Sequence, residues 1–196
     1  MNSFSSALKT ASLLTLVFAV LLGGVYPLVV WAGAQAFFSR QANGSLITDP
    51  DGTVRGSALL AQHFSSETHF HPRPSAAGTG YDASSSSGTN LGPTSRKLAD
   101  SIQSRVTAYR AINGLAADAV VPADAVTSSA SGLDPHISPA NANLQAARVA
   151  RARGVPIDQV RALIARHTDG ANLGLLGDAG VNVLNLNRAL DASSPR

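Results

Sequence analysis

Residues 10–38 read TASLLTLVFAVLLGGVYPLVVWAGAQAFF, and this stretch decides how the rest of the chain is organised. Between Lys9 and Arg40 the only ionisable group is the phenol of Tyr26. About 29 residues in a helix span ~43 Å, enough to cross a ~30 Å hydrocarbon core with some tilt. Trp31, Phe37 and Phe38 stand where an interfacial aromatic belt belongs. The competing reading is a secretory signal, with Lys9 as its charged region and Ala32-Gly33-Ala34 or Ala34-Gln35-Ala36 as the cleavage site. The apolar run continues well past the ~15 residues such a signal uses, which favours an anchor. Gly23, Gly24 and Pro27 lie mid-run, where they permit close helix approach and leave a carbonyl for a neighbour to satisfy. The charges flanking the helix are nearly balanced and do not orient it.

The layout expected is a short segment 1–9, a transmembrane helix 10–38 and a hydrophilic α+β domain 39–196. That domain, at roughly 155 residues, is long enough to bury a real core. The net charge of +3 comes from scattered arginines, without the basic stripe and stacking aromatics of a nucleic-acid surface. Cysteine is absent, which excludes thiol catalysis, cysteine-ligated zinc and disulfides.

Ser45-Leu46-Ile47-Thr48, the turn Asp49-Pro50-Asp51-Gly52 and Thr53-Val54-Arg55 predict a hairpin. Gly56 and Ser57 open a predicted short helix through Leu59 and Leu60 to Phe64. Residues 69–93 read as an irregular loop, of a length that is usually either functional or disordered. A helix capped by Thr94 or Ser95 follows, with Leu98, Ile102, Val106, Tyr109 and Ile112 expected as a core face and Gly114 as its stop. Residues 127–139 form a second irregular stretch. Ser138-Pro139 starts a helix expected to turn Leu144, Ala147 and Ala150 inward and to end at Gly154; Pro156 starts another with Ile157, Val160, Leu163 and Ile164 on one face. Val181-Asn182-Val183 alternates as a strand before a helical 184–190.

His69 and His71, with His63 or Glu67, imitate part of a zinc site but lack a set third ligand. Ser131, Asp134, His136 and Ser138 are residue types of a hydrolase triad, yet they are crowded into one loop without a Gly-x-Ser-x-Gly elbow. Neither Lys9 nor Lys97 sits in a Walker A loop, so if ATP matters another chain hydrolyses it.

Several stretches in order resemble one family, the C chain of the bacterial high-affinity potassium-transporting P-type ATPase (Kdp system). They are Gly23-Gly24-Val25-Tyr26-Pro27-Leu28, Gln41-Ala42-Asn43-Gly44-Ser45-Leu46-Ile47, Val54-Arg55-Gly56-Ser57-Ala58-Leu59 and Phe70-His71-Pro72-Arg73-Pro74-Ser75-Ala76. Ser87-Gly88-Thr89-Asn90-Leu91-Gly92-Pro93, Ser131-Gly132-Leu133-Asp134-Pro135-His136-Ile137-Ser138-Pro139 and Val181-Asn182-Val183-Leu184-Asn185-Leu186-Asn187 complete the set. Thr89 and Ala125 depart from the usual pattern.

The resemblance implies a non-catalytic, single-pass inner-membrane subunit with a cytoplasmic amino terminus and its hydrophilic domain on the outer, periplasmic face. Its partners would be a channel-like potassium-binding subunit, a P-type ATPase subunit carrying the phosphorylated aspartate, and a small membrane peptide. Membrane lipid surrounds the helix, potassium is handled by the partner, and no nucleic acid is involved. Gly23, Gly24, Tyr26 and Pro27 become the helix-packing surface, and His71, Arg73, Asn90, Asp134 and His136 the subunit interface. The family is described as a catalytic chaperone that raises ATP affinity or turnover of the pump subunit. ATP is therefore a candidate ligand in the complex, with Gln145 as the matching nucleotide position, although an outer domain does not reach cytosolic ATP. Otherwise Gln145 is expected to be a solvated helix residue. The alternative to this whole reading is an exported metal-binding protein or hydrolase released by signal cleavage.

Overall fold

A computed structural model describes residues 2–171 and 173–193. The chain divides into two units, the first ending at Ser57 and the second starting at Ala58.

The first unit opens with the apolar stretch, helical from Asn2 to Phe37. It comprises α1 (Asn2–Val20), a π-helical turn Leu21–Val25, and α2 (Tyr26–Phe37). The turn has a local cause. Pro27 has no N–H and its ring crowds the preceding turn, and just before it the ladder shifts register, so that Tyr26 N–H reaches back to Leu21 O. Gly23 and Gly24 lie inside the widened turn, where a side chain would meet nothing within 4 Å. Leu, Val, Phe and Trp side chains project outward along the helix. The turn α3 (Ser39–Ala42) follows, and Asn43 Nδ2 donates back to Gln35 Oε1 at 3.1 Å and to Ser39 O at 2.7 Å.

The predicted hairpin is present as β1 (Leu46–Thr48) and β2 (Val54–Ser57), antiparallel with an irregularity between Ile47 and Thr48. The helix expected from Gly56 to Phe64 is not formed. Gly56 pairs with Ile47 and extends the strand at φ +150°, and Ser57 Oγ donates to Gly44 O at 2.7 Å. Beyond it, Ala61 N–H is committed to Leu133 O rather than to a helical turn.

The second unit begins with irregular chain up to α4 (Arg96–Asn113), capped by Ser95 Oγ and ended by Gly114 at φ +63°. Its apolar stripe is not the core face expected. Leu98, Ile102, Val106 and Tyr109 are only half-buried, Ile112 is 50% exposed, and the one buried residue of the helix is Asn113. The turn α5 (Ala123–Val126) leads to β3 (His136–Ile137), too short to be read from sequence. Ser138 caps α6 (Pro139–Arg153), with Pro139 in its first turn and Gly154 as its left-handed stop. Helix α7 (Ile157–Arg166) follows at once and buries Val160 and Ile164. β4 (Thr168–Asp169) and β5 (Gly180–Asn182) complete a three-stranded antiparallel sheet in the order β3-β5-β4, and α8 (Val183–Ser193) closes the domain.

The core joins Phe70 to Ile137 and Val181 of the sheet and to apolar faces of α6, α7 and α8. On α6 the inward face is Ala142, Ala146, Val149 and Ala150 together with Asn141, Gln145 and Arg148. Ala147 is exposed and Leu144 only half-buried, so the expected inward stripe is correct only at Ala150. The small alanines let the polar members of this face sit inside without forcing the helices apart.

Candidate functional site

The irregular stretch 69–93 is held by side chains rather than by a sheet. Phe70 is fully buried, and its main chain is gripped by Asn187 of α8: Phe70 N–H donates to Oδ1 at 2.8 Å, and Nδ2 donates to Phe70 O at 3.0 Å. Gln145 of α6 repeats the arrangement one residue on, accepting from His71 N–H at 2.8 Å and donating to His71 O at 3.1 Å. Two amide side chains thus take the place of a neighbouring strand and satisfy the main-chain groups they enclose.

A second layer fixes the amide of Gln145. Its Nε2 also donates to Asn141 Oδ1 at 2.9 Å, and its Oε1 also accepts from Arg148 Nη2 at 2.9 Å. Asn141 accepts from Tyr109 OH at 2.7 Å and donates to Asp124 at 2.9 Å. Arg148, only 2% exposed, donates further to Asn113 Oδ1 at 3.0 Å and Glu67 O. These three acceptors are neutral oxygens, and burial pushes the guanidinium pKa down, opposed by the Glu67 charge. Burial, helped by the Arg148 charge, also lowers the pKa of His71. Its Nε2 lies 3.0 Å from Ser66 O, so that nitrogen carries a hydrogen and donates to the carbonyl.

The histidines read as a candidate zinc set are engaged separately: His69 contacts Asp191 and Thr68, His71 contacts Ser66 O, and His63 stacks on Tyr81 at 5.4 Å.

Further along, stretch 69–93 is stitched to stretch 127–139. Arg73 Nη1 donates to Asp134 Oδ2 at 2.9 Å, Ser75 Oγ to Gly132 O at 2.7 Å, and Ser87 N–H to Ser131 O at 3.0 Å. Gly132 is at φ +68°, and a Cβ there would lie 2.5 Å from Ser87 O and 2.7 Å from Ala77 N, so this crossing requires glycine. Asp134 Oδ1 accepts from His136 N–H at 3.0 Å and lies 3.5 Å from the imidazole Nδ1. The imidazole contact, with the main-chain bond and Arg73, holds the Asp134 carboxyl down at about 2, and the same carboxylate raises His136. Of the serines considered for a triad, Ser138 Oγ donates to Asp124 at 2.9 Å and Ser131 Oγ accepts from Leu133 N–H at 3.1 Å; neither is bonded to the imidazole.

Arg73 and Asp134 border both of two surface hollows. One, of about 790 Å³, is bordered by Leu59, Ser86, Ser128 and Ser129; the other, of about 730 Å³, by His136, Asp169, Leu176 and Asp178. The structure therefore brings Arg73, Asp134 and His136 to one place, whereas His71 is held by Gln145 and borders neither hollow. Asn90 is exposed at φ +52° and borders neither hollow. Gly23, Gly24, Tyr26 and Pro27 lie together at the π-helical turn, with Tyr26 63% exposed. Gln145 is not the solvated residue expected; it is 1% exposed with both ends of its amide in use. Asn113, Asn141, Arg148 and Asn187 were not among the sequence candidates. Their signal was a polar residue set at helical spacing within an apolar face: Asn187 stands between Val183 and Leu190, and Gln145 between Ala142 and Val149.

The family model for the K+-transporting ATPase, c chain, matches residues 8–192. This chain belongs to the KdpC family. A protein of Mycobacterium tuberculosis named potassium-transporting ATPase KdpC subunit is 57% identical over 184 residues, covering 94% of this chain and 97% of its own. Proteins of the same name from Koribacter versatilis and Caulobacter vibrioides are 51% and 58% identical, over 96% and 91% of this chain and 95% and 89% of theirs. As a KdpC member the chain is a subunit of a potassium-transporting ATPase complex, and its partners are the other Kdp subunits. The match begins at residue 8, so the apolar helix belongs to the family pattern. Among the described residues Ser3–Phe37 is the one helix long and apolar enough to cross a membrane, as fits a single-pass membrane protein.

Proposed function

We propose that this chain is a non-catalytic assembly and modulatory subunit of the ATP-driven potassium uptake complex. In this reading its domain stands on the outer face of the membrane and its helix packs against the pump. The observation that carries the reading is how the domain spends its polar residues. Gln145, Asn187, Arg148 and Asp134 hold two long loops in fixed shape, an arrangement suited to presenting a surface. Potassium binding and aspartate phosphorylation belong to partner subunits: the channel-like chain and the P-type ATPase chain, accompanied by the small membrane peptide.

The effect on ATP use is then indirect. Gln145, the position linked by resemblance to nucleotide, has its amide committed to His71, Asn141 and Arg148, so replacing it acts by loosening residues 70–74. The catalytic-chaperone effect passes through the membrane helix as a coupling free energy of about 1–3 kcal/mol. The π-helical turn beside Pro27 is the element of that helix best suited to shift register. Affinity purification of the tagged full chain in mild detergent tests this: a large P-type ATPase and a polytopic potassium subunit are expected in the eluate. A chain that elutes alone under conditions preserving other membrane complexes contradicts it.

A further inference from the structure

The structure carries one conspicuous feature that neither the loop scaffold nor the membrane helix uses. Between β4 and β5, Leu173, Leu175 and Leu176 are 91%, 87% and 64% exposed. Elsewhere in the second unit the described large apolar side chains are buried or half-buried, and the exposed ones, Leu59, Ile112 and Val120, stand singly. Leu173 also adopts φ +56°, a left-handed conformation uncommon for a bulky residue, and Gly174 and Gly177 follow at φ +73° and +82°. The backbone is thus turned so that leucines point into solvent. Asp169 and Asp178, both exposed, bracket the tip, and no Lys or Arg occurs between residues 169 and 180. Leu176 and Asp178 also border the hollow that contains Arg73, Asp134 and His136.

We infer that the tip formed by Leu173, Leu175 and Leu176 with Asp169 and Asp178 docks into an apolar recess rimmed by basic side chains on another subunit of the same complex. The inference rests on the assembly role proposed above. Charge selects the occupant. Membrane-surface segments combine apolar side chains with Lys, Arg and interfacial aromatics, and this tip has none of these. A second copy of the chain would bring two acidic rims together.

The chain has no cysteine, so Leu175→Cys gives a single site for a polarity-sensitive fluorophore in the full complex reconstituted in bilayers. Blue-shifted emission and protection from iodide only when the partner subunits are present, without quenching by brominated acyl chains, are expected. Quenching by brominated lipid assigns the tip to the bilayer, a blue shift that grows with concentration of the chain alone assigns it to a second copy, and a probe in water throughout leaves it undocked. Each of these three overturns the proposal. In parallel, Leu173→Ser/Leu175→Ser/Leu176→Ser is expected to lower partner recovery at least about tenfold while the thermal melt stays unchanged. Full recovery with this variant sinks the inference but leaves the assembly role standing. Failure of the wild-type chain to recover partners removes the assembly role itself.

Discussion

The second unit contains two kinds of irregular chain, and they solve opposite problems. Residues 69–93 lack regular structure, yet Phe70 and His71 are held at both donor and acceptor by buried amides, and Arg73, Ser75 and Ser87 are tied to the 127–139 stretch. Residues 173–178 are also glycine-rich, but there the apolar side chains face water. The first loop is a scaffold whose shape the domain itself determines. The second is a surface that the domain leaves for something else to cover. Glycine content alone does not distinguish the two; the location of buried amides does.

The largest way to break this contrast is to remove the grip on Phe70. Asn187→Ala leaves a buried N–H and a buried C=O without partners, at about 1–3 kcal/mol each. The thermal melt of the purified chain is expected to fall by about 10 °C, at roughly 2–4 °C per kcal/mol for a chain of this size. A shift under about 2 °C would show that water replaces the amide and that the loop is not a rigid scaffold. Gly132→Ala comes next. It places a Cβ against Ser87 O and Ala77 N, and the left-handed φ alone costs roughly 1–2 kcal/mol. Denaturant unfolding should show at least that loss.

Gln145→Ala is expected to act locally. The His71 amide should exchange with solvent at least about tenfold faster while the Phe70 amide, held by Asn187, changes little. Equal acceleration at both would merge the two clamps into one unit.

The smallest effect concerns pH. Asp134 has its folded pKa depressed to about 2, so its contribution is present above the ordinary carboxylate range and is lost as pH falls towards that value. His136 is raised, so its contribution is complete below its ordinary value near 6.5 and is lost as pH rises through the folded one. Together they place the strongest 73–134–136 contact between about pH 4 and 6.5. Asp134→Asn should flatten stability on both sides of that window; an unchanged profile would mean that solvent already screens this half-exposed cluster.

Much of the architecture was legible from residues because it rests on local chemistry. The caps Ser95 and Ser138, the stops Gly114 and Gly154, and the Asp49-Pro50-Asp51-Gly52 turn act within a few residues of themselves. What failed depended on distant partners. Residues 56–64 carry a helical pattern, but Gly56 pairs with Ile47 and Ala61 with Leu133. The α4 stripe looks like a core face, but the core is filled by Phe70, the sheet and three other helices. On α6, alanines made the inward face ambiguous, and Gln145 and Arg148 were invisible to a reading that counts only apolar positions. Of the candidate interface, Arg73, Asp134 and His136 converge because two loops cross at Gly132, whereas Asn90 remains apart.

In the proposed role the chain modulates a pump whose catalytic groups lie elsewhere. The most direct test of that role is potassium-stimulated ATP hydrolysis by the purified complex with and without this chain, measured across ATP concentration. Complex containing the chain is expected to hydrolyse ATP with a lower apparent KM or a higher turnover, and the isolated chain to hydrolyse none. Identical kinetics in the two preparations, or hydrolysis by the chain alone, would contradict that role.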